Sequence, residues 1–202
     1  MIYFLAFIVA FAVGSIPFGY LIGRFVYRVD IREHGSGNIG AMNALRALGK
    51  VGAAAVLLLD AIKGFAPAFA ALAFGYGDVV ASIAAGGSVL GHCFSPWLRG
   101  RGGKGVATSF GAIIALNPYA GVIAILGWIA GALATQYSSV GSFFGSLLAP
   151  VALYIFSGGS LAETLYGLFA LAIILVTHRE NIARLRDGSE NPISLSARHE
   201  QE

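Results

Sequence analysis

Residues 106–135 read VATSFGAIIALNPYAGVIAILGWIAGALAT, an uncharged run interrupted by Asn117-Pro118. How this run is divided decides the topology around it. Proline has no backbone N–H to give to a helix and holds the preceding residue out of the helical region. Asn117-Pro118 therefore predicts a tight hairpin between two apolar segments, 106–116 and 119–135, not the middle of one long span. Working outward, further apolar stretches occupy residues 2–23, 51–74, 79–98, 140–156 and 161–177. Short loops rich in Lys and Arg stay on the cytoplasmic side of a membrane, and this tests the division. With the hairpin there are seven spans, and Arg24, Arg28, Arg32, Arg46, Lys50, Arg99, Arg101, Lys104, Arg179, Arg184, Arg186 and Arg198 share one side. Lys63 falls inside a span. The opposite segments, around 75–78, Asn117 and 157–160, carry no Lys or Arg. Merging the two halves of the run would move Arg179, Arg184 and Arg186 across the membrane.

Composition agrees with a membrane protein. The chain has 202 residues, 57% hydrophobic and 11% charged, against about 25% charged in a soluble domain. Disorder needs the opposite balance. The single Cys93 allows no internal disulfide. The expectation is an all-α integral membrane bundle of about seven transmembrane helices, N-terminus outside and C-terminus cytoplasmic. Residues 1–186 are expected to form one transmembrane domain and 187–202 a short exposed cytoplasmic tail. Span four is short. Even extended back to Gly103 it reaches roughly 21 Å at about 1.5 Å per residue, against a hydrocarbon core of about 30 Å. It is expected to lie against protein or to stop short of a full crossing. Glycine pairs four residues apart, Gly19/Gly23, Gly87/Gly91, Gly127/Gly131 and Gly141/Gly145, predict close helix packing.

Polar residues gather in three places on the predicted cytoplasmic side. The first is His34-Gly-Ser-Gly-Asn-Ile-Gly-Ala-Met-Asn43, followed by Arg46. Its Gly35-x-Gly37-x-x-Gly40 spacing matches a dinucleotide fingerprint, but no strand precedes it and no βαβ unit fits here. What remains is physical: glycines let backbone N–H groups converge on an anion, and Ser36 and Asn38 add donors. The same residues also read as a glycine-rich turn with a helix cap. The second is Arg99-Gly-Arg-Gly-Gly103-Lys104-Gly-Val-Ala-Thr108. It is not a Walker A loop, yet it sets a cation on flexible backbone just before a helix, a geometry that holds phosphate. Membrane-surface anchoring explains Arg99 and Arg101 equally well. The third is His178-Arg-Glu-Asn181, in which His178 and Asn181 share a helix face. Within spans, Asp60 and Lys63 lie three apart, and His92 ends span three. Intramembrane charges are costly and usually functional, or here a buried structural ion pair. The ten acidic residues are scattered, so a carboxylate-held divalent metal is not expected. No His-x-x-x-x-Asp dyad occurs and no basic–aromatic stripe suits nucleic acid.

Gly35-Ser-Gly-Asn-Ile-Gly-Ala-Met-Asn43, Asp60-x-x-Lys63-Gly64-x-x-Pro67, Gly91-His92, Gly102-Gly-Lys-Gly-Val-Ala-Thr108 and His178-Arg-Glu-Asn-Ile182 occur in that order. Together they closely resemble the bacterial acyl-phosphate:glycerol-3-phosphate acyltransferases, over residues 14–182. The resemblance implies an inner-membrane enzyme that transfers a fatty acyl group from acyl phosphate to glycerol 3-phosphate, giving lysophosphatidate and phosphate. It implies no use of acyl-CoA or acyl carrier protein, no cofactor or metal, and a working link to the soluble enzyme that makes acyl phosphate. Read onto this chain, it places His178, Ser36, Asn38 and Lys104 among the catalytic residues. Gly37, Asn43, Arg46, Gly103, Ser142 and Asn181 would bind phosphate, and Asp60, Lys63 and His92 would support. Met42, Gln136 and Thr177 depart from the family pattern and receive no role. The other reading of the sequence is a small organophosphate or anion transporter, whose site would sit near the midplane between broken helices.

Overall fold

The computed structural model describes residues 1–193, and within them regular structure is entirely helical. The helices are α1 (Ile2–Gly14), α2 (Phe18–Leu21, continuing as a π turn over Ile22–Val26), α3 (Ala41–Ala73), α4 (Gly77–Cys93), α5 (Val106–Leu116), α6 (Pro118–Thr135), α7 (Ser138–Phe156), α8 (Leu161–Thr177) and α9 (Arg179–Asp187). Short 3-10 turns occupy Ile31–Glu33 and Pro96–Leu98.

All the predicted apolar segments are helical, but they do not make seven equal crossings. Five helices are long and apolar enough to cross a membrane, or six if α8 and α9, bent by 58°, count as one span. The exception is α5, with 11 residues, about 16 Å long. It survives because it faces protein rather than lipid: eight of its residues, from Thr108 to Leu116, are buried. The hairpin is present. Asn117 caps α6 by accepting hydrogen bonds from the Tyr119 and Ala120 N–H groups, both at 3.2 Å, and Pro118 takes the first helical position, where a missing N–H costs nothing.

Two breaks were not visible as such in the apolar pattern. The first span stops at Ser15–Pro17 and resumes as α2, since Pro17 cannot continue the hydrogen-bond ladder. In lipid the freed carbonyls need partners. The Ile16 carbonyl accepts from Lys63 Nζ at 2.8 Å, and the Ser15 carbonyl from Ser95 Oγ at 2.6 Å. The second break is Gly49, non-helical at φ 77° inside α3, so residues 41–48 leave the span's axis and carry Asn43 and Arg46.

Glycines set the packing. Gly87 and Gly91 lie against the α1 backbone, and Gly127 and Gly131 of α6 face Gly145 and Gly141 of α7. Gly19 and Gly23 instead accommodate the loop carrying Ile31 and Ile39. A side chain at Gly87 would bring Cβ to 2.7 Å from the Phe7 carbonyl oxygen, whereas at neighbouring Gly86 the nearest atom, on Phe169, is 3.7 Å away. Gly87→Ala is therefore expected to destabilise by about 1–3 kcal/mol and Gly86→Ala to be neutral or stabilising by up to about 1 kcal/mol. Thermal unfolding of the two variants in detergent checks the contrast.

Candidate functional site

The three polar stretches meet in one cavity of about 570 Å³. Ser36, Asn38, Asn43 and Arg46 line it from the loop before α3 and the start of that helix. Lys104 enters from the loop before α5, Ser138, Ser139 and Ser142 from α7, and His178, Asn181 and Arg184 from the α8–α9 bend. Gly40-Ala41 and Gly105-Val106, the N-terminal ends of α3 and α5, also line it, which adds partly positive backbone ends to the cations.

Each polar side chain is held by its local fold. Asn43 is buried and ties the first loop together: its Oδ1 accepts from the Ser36 N–H at 2.8 Å, and its Nδ2 donates to the Ile31 carbonyl at 2.7 Å and the Asn38 carbonyl at 2.8 Å. Asn38 Oδ1 accepts from the Gly40 N–H at 2.8 Å. Its amide nitrogen makes no protein hydrogen bond among the described residues. Gly37 does not line the cavity; at φ 69° it turns the loop, a conformation that glycine tolerates best.

The Lys104 loop is zipped against the end of α4, with Gly102 N–H to the Cys93 carbonyl at 3.0 Å and Gly103 N–H to the His92 carbonyl at 3.1 Å. A Cβ at Gly102 would collide with that backbone, and one at Gly103 with the His92 ring. These glycines thus place the lysine without lining the cavity. Thr177 Oγ1 donates to the Lys104 carbonyl at 2.9 Å, a structural use for a residue that the sequence left without a role. Lys104 Nζ donates to Asn181 Oδ1. Burial, reinforced by the nearby Arg184 charge, lowers its pKa to about 8.

His178, just beyond the α8 span, is buried and stacks edge-on against Phe143 at 5.4 Å between centroids. Burial, and then the Lys104 charge, push its pKa down to about 4, so the ring is neutral at pH 7. Its Nδ1 lies 2.8 Å from the Ile174 carbonyl. A carbonyl only accepts, so Nδ1 carries the proton and Nε2 keeps a free lone pair. Ser142 Oγ donates to the Ser138 carbonyl at 2.9 Å and can still accept.

Asp60 and His92 form part of the cavity floor. Asp60 Oδ1 pairs with Lys63 Nζ at 2.8 Å and lies 3.6 Å from His92 Nδ1, all three residues being at most 4% exposed. With Lys63 also satisfying the α1 break, this cluster behaves as an internal brace.

The reading from the sequence missed the return of the tail. Gly188, at φ 77°, ends α9 and reverses the chain. Glu190 is then buried beside Ser139, Asn181 and Arg184, and Pro192 and Ile193 are tied to Arg46 and Gln136. Glu190 and Asn191 thus line the cavity, while Gly188, Ser189 and Pro192 stay exposed. Arg198, counted among the cytoplasmic cations, lies outside the described residues. The sequence carries no local signal of this contact, since Glu190 follows Asp187 by three residues in a polar segment.

A polytopic membrane bundle whose cations and backbone N–H groups converge on one interfacial cavity defines a protein that handles a phosphorylated, partly apolar substrate. The family model described as Glycerol-3-phosphate acyltransferase matches residues 4–188, and the chain belongs to that family. A Brucella suis glycerol-3-phosphate acyltransferase is 45% identical over 93% of this chain and 92% of its own length. A Thermotoga petrophila counterpart is 38% identical over 95% and 96%. Two crystal structures of PlsY (YgiH), an integral membrane glycerol 3-phosphate acyltransferase, have the same fold. The glycerol 3-phosphate form has a TM-score of 0.88 at 37% identity, covering 94% of both chains. The lysophosphatidic acid form has 0.87 at 36%, covering 96% of both.

Removing one partner of a buried ion pair leaves an uncompensated charge, which costs about 3–5 kcal/mol. Asp60→Asn and Lys63→Met are each expected to lower the unfolding temperature in detergent sharply. Loss of turnover with unchanged melting would instead assign the pair a direct part in the chemistry.

Proposed function

We propose that the chain transfers a fatty acyl group from acyl phosphate to glycerol 3-phosphate, producing lysophosphatidate and inorganic phosphate at the cytoplasmic face of a bacterial inner membrane. The observation that carries this is the two-part character of the single cavity. Its polar end gathers Ser36, Asn38, Arg46, Lys104, Ser142, His178 and Asn181. Its apolar lining includes Leu57, Leu58, Phe110, Ile114, Trp128 and Ile129. Leu57, Leu58 and Ile129 are also exposed, at 52%, 61% and 38%, which supports an apolar end open to lipid, where an acyl tail belongs. The family membership supports the acyltransferase activity, and the cation distribution supports the orientation, with the N-terminus outside.

In this reading Ser36, Asn38 and Arg46 cradle one phosphate, with Asn43 holding their loop. Lys104, Ser142 and Asn181 hold the other phosphate or the zone between the two. The donor is a mixed anhydride and already activated, so no protein nucleophile is needed. The glycerol hydroxyl oxygen attacks the acyl carbonyl carbon, the ester C–O bond forms, and the bond from that carbon to the phosphate oxygen breaks. Arg46 and Lys104 neutralise the charge gathering on the departing phosphate. The hydroxyl proton needs an acceptor. With a pKa of about 4, His178 is a weak base at neutral pH. A phosphate with a second pKa of about 6 is a better one. Nε2 of His178 then accepts a hydrogen bond and aims the hydroxyl, and a donor phosphate oxygen takes the proton. An acyl phosphate is hydrolytically labile, so a soluble enzyme that forms it would deliver it at this membrane face.

Purified protein in detergent is expected to release phosphate from an acyl phosphate only when glycerol 3-phosphate is present. A transporter would turn over nothing in micelles. His178→Gln, which keeps an acceptor, should retain activity within about tenfold from pH 6 to 9, whereas loss of a true general base costs about 10²–10⁴-fold. Because Lys104 must be charged to hold phosphate and its pKa is about 8, kcat/KM for glycerol 3-phosphate should fall as pH rises through about 8. In Lys104→Arg, whose guanidinium stays charged, that alkaline limb should disappear.

A further inference from the structure

Glu190 is a carboxylate inside a site built for anions, and nothing in the proposed reaction uses it. Its Oε1 accepts from Ser139 Oγ at 2.9 Å and from Asn181 Nδ2 at 2.6 Å, and its Oε2 accepts from Arg184 Nε at 2.8 Å. It is 8% exposed. Burial alone would push its pKa up; the hydrogen bonds from Asn181, Arg184 and Ser139 outweigh that and hold it below the usual glutamate value. The group is therefore ionised at working pH.

The neighbouring amide transmits this charge. An ionised carboxylate only accepts hydrogen bonds and an ammonium only donates them. Asn181 sits between the two, with Nδ2 on Glu190 and Oδ1 on Lys104. The opposite orientation of the amide would set a donor against a donor and an acceptor against an acceptor. Asn181 can thus serve Lys104 in one orientation, and Glu190 is the group that selects it. Arg184, which also lines the cavity, is held similarly through Nε. The tail is tied at two further points, by Arg46 Nη2 to the Pro192 carbonyl at 3.3 Å and by the Ile193 N–H to the Gln136 carbonyl at 2.7 Å. Glu190 is therefore delivered by a segment attached to both α3 and α6.

We propose that Glu190 is a positioning residue of the acyltransferase site: it orients Asn181 and Arg184 and, through Asn181, aims Lys104 at the substrate phosphate. This rests on the reading of Lys104 as a phosphate ligand. Glu190 is not a stand-in for that phosphate, because its oxygens are taken by Ser139, Asn181 and Arg184, while Lys104 approaches Asn181. The charged and titratable groups around Lys104 are Arg46 of α3, His178 at the α8–α9 bend, Glu180 and Arg184 of α9, and Glu190. Glu190 helps to keep the lysine protonated against Arg46 and Arg184.

The test compares Glu190→Ala and Glu190→Gln with the parent in detergent, by calorimetric binding of glycerol 3-phosphate between pH 6 and 10 and by turnover. Glutamine keeps an oxygen for Asn181 Nδ2 but loses the charge. Glu190→Gln is expected to bind within about threefold of the parent at pH 7. Its alkaline loss of affinity should begin about half a unit to one unit lower, the size of a charge–charge interaction over a few ångström near a protein surface. Glu190→Ala is expected to bind at least about tenfold more weakly and to turn over correspondingly more slowly. Should alanine unfold the protein, the glutamine pH limb decides alone, since a merely structural role would leave it unmoved. Tighter binding in either variant would make Glu190 a competitor of the substrate and overturn the proposal; so would an unmoved alkaline limb, or a glutamine variant as weak as alanine. A parent that binds glycerol 3-phosphate but ignores acyl phosphate would overturn the donor assignment and leave the binding arm to decide on Glu190.

Discussion

Lipid offers no hydrogen bonds, and that constraint organises this molecule. Every backbone break inside the bundle must be closed by a protein group. The break at Ser15–Pro17 frees carbonyls that Ser95 and Lys63 satisfy. Lys63 is buried and needs a counter-charge, which Asp60 supplies one helical turn earlier at 2.8 Å. Asp60 in turn lies beside His92, whose backbone carbonyl anchors Gly103 and whose ring leaves no room for a side chain there. The chain of necessity therefore runs from a proline in the first span to the position of Lys104, one of the cations that line the cavity. A buried ion pair is weak evidence for stability in itself; here its value is that Lys63 also closes the Ile16 break and Asp60 adjoins His92, whose carbonyl anchors Gly103.

Close packing supplies the second constraint. The apolar effect does not drive helices together in lipid, so small residues that let backbones approach do much of this work. Glycines at 87 and 91 admit α1, and those at 127, 131, 141 and 145 join α6 to α7. Gly64 and Gly111 allow α3 and α5 the same intimacy, each meeting the other helix's backbone. The tight α3–α5 contact lets an 11-residue helix exist within the bundle. Its N-terminal end consequently lies at cavity depth, beside Lys104, instead of at the far edge of a full-length span.

Much of this was legible in the residues. Apolar runs, the Asn117-Pro118 hairpin and the four-residue glycine spacing are local patterns with direct physical meaning, and members of all three polar stretches met in one cavity, although Gly37, Gly102 and Gly103 turn or pack and His34, Arg99, Arg101, Thr108, Arg179 and Glu180 do not line it. Less legible were features set by distant partners. Lys63 reads as an ion pair with Asp60 from its spacing, but its bond to Ile16 spans 47 positions. Thr177 departs from the family pattern, and its service to the Lys104 carbonyl depends on a contact 73 residues away. The tail is the clearest case. A polar, glycine-broken segment after a basic amphipathic helix looks solvated, and nothing local shows that Glu190 returns to Ser139, 51 residues earlier. The seven predicted crossings differ from the five or six helices that are long enough by themselves through the short α5, and length in residues measures a span only when lipid, not protein, surrounds it.

The arrangement also accounts for the absence of an activated nucleophile among the groups that line the polar end. Protein nucleophiles are made reactive by a base or a depressed pKa. Here the nearest imidazole is neutral, tied through Nδ1 to a carbonyl and poorly basic, while Ser142 donates its proton to the helix backbone. His178 and Ser142 therefore do not form the base–nucleophile pair that an acyl-enzyme would need. The site is suited to a donor that arrives already activated, and what it supplies is charge fixed before the reaction starts. Lys104 is part-buried, Asn181 is held in one orientation, and Glu190 sustains both from behind. In a low-dielectric setting those dipoles need little rearrangement as charge moves onto the leaving phosphate. On the proposed reading, burial that would be a liability for a catalytic base is an advantage, because it would keep water from an acyl phosphate while two phosphorylated reactants are brought into line.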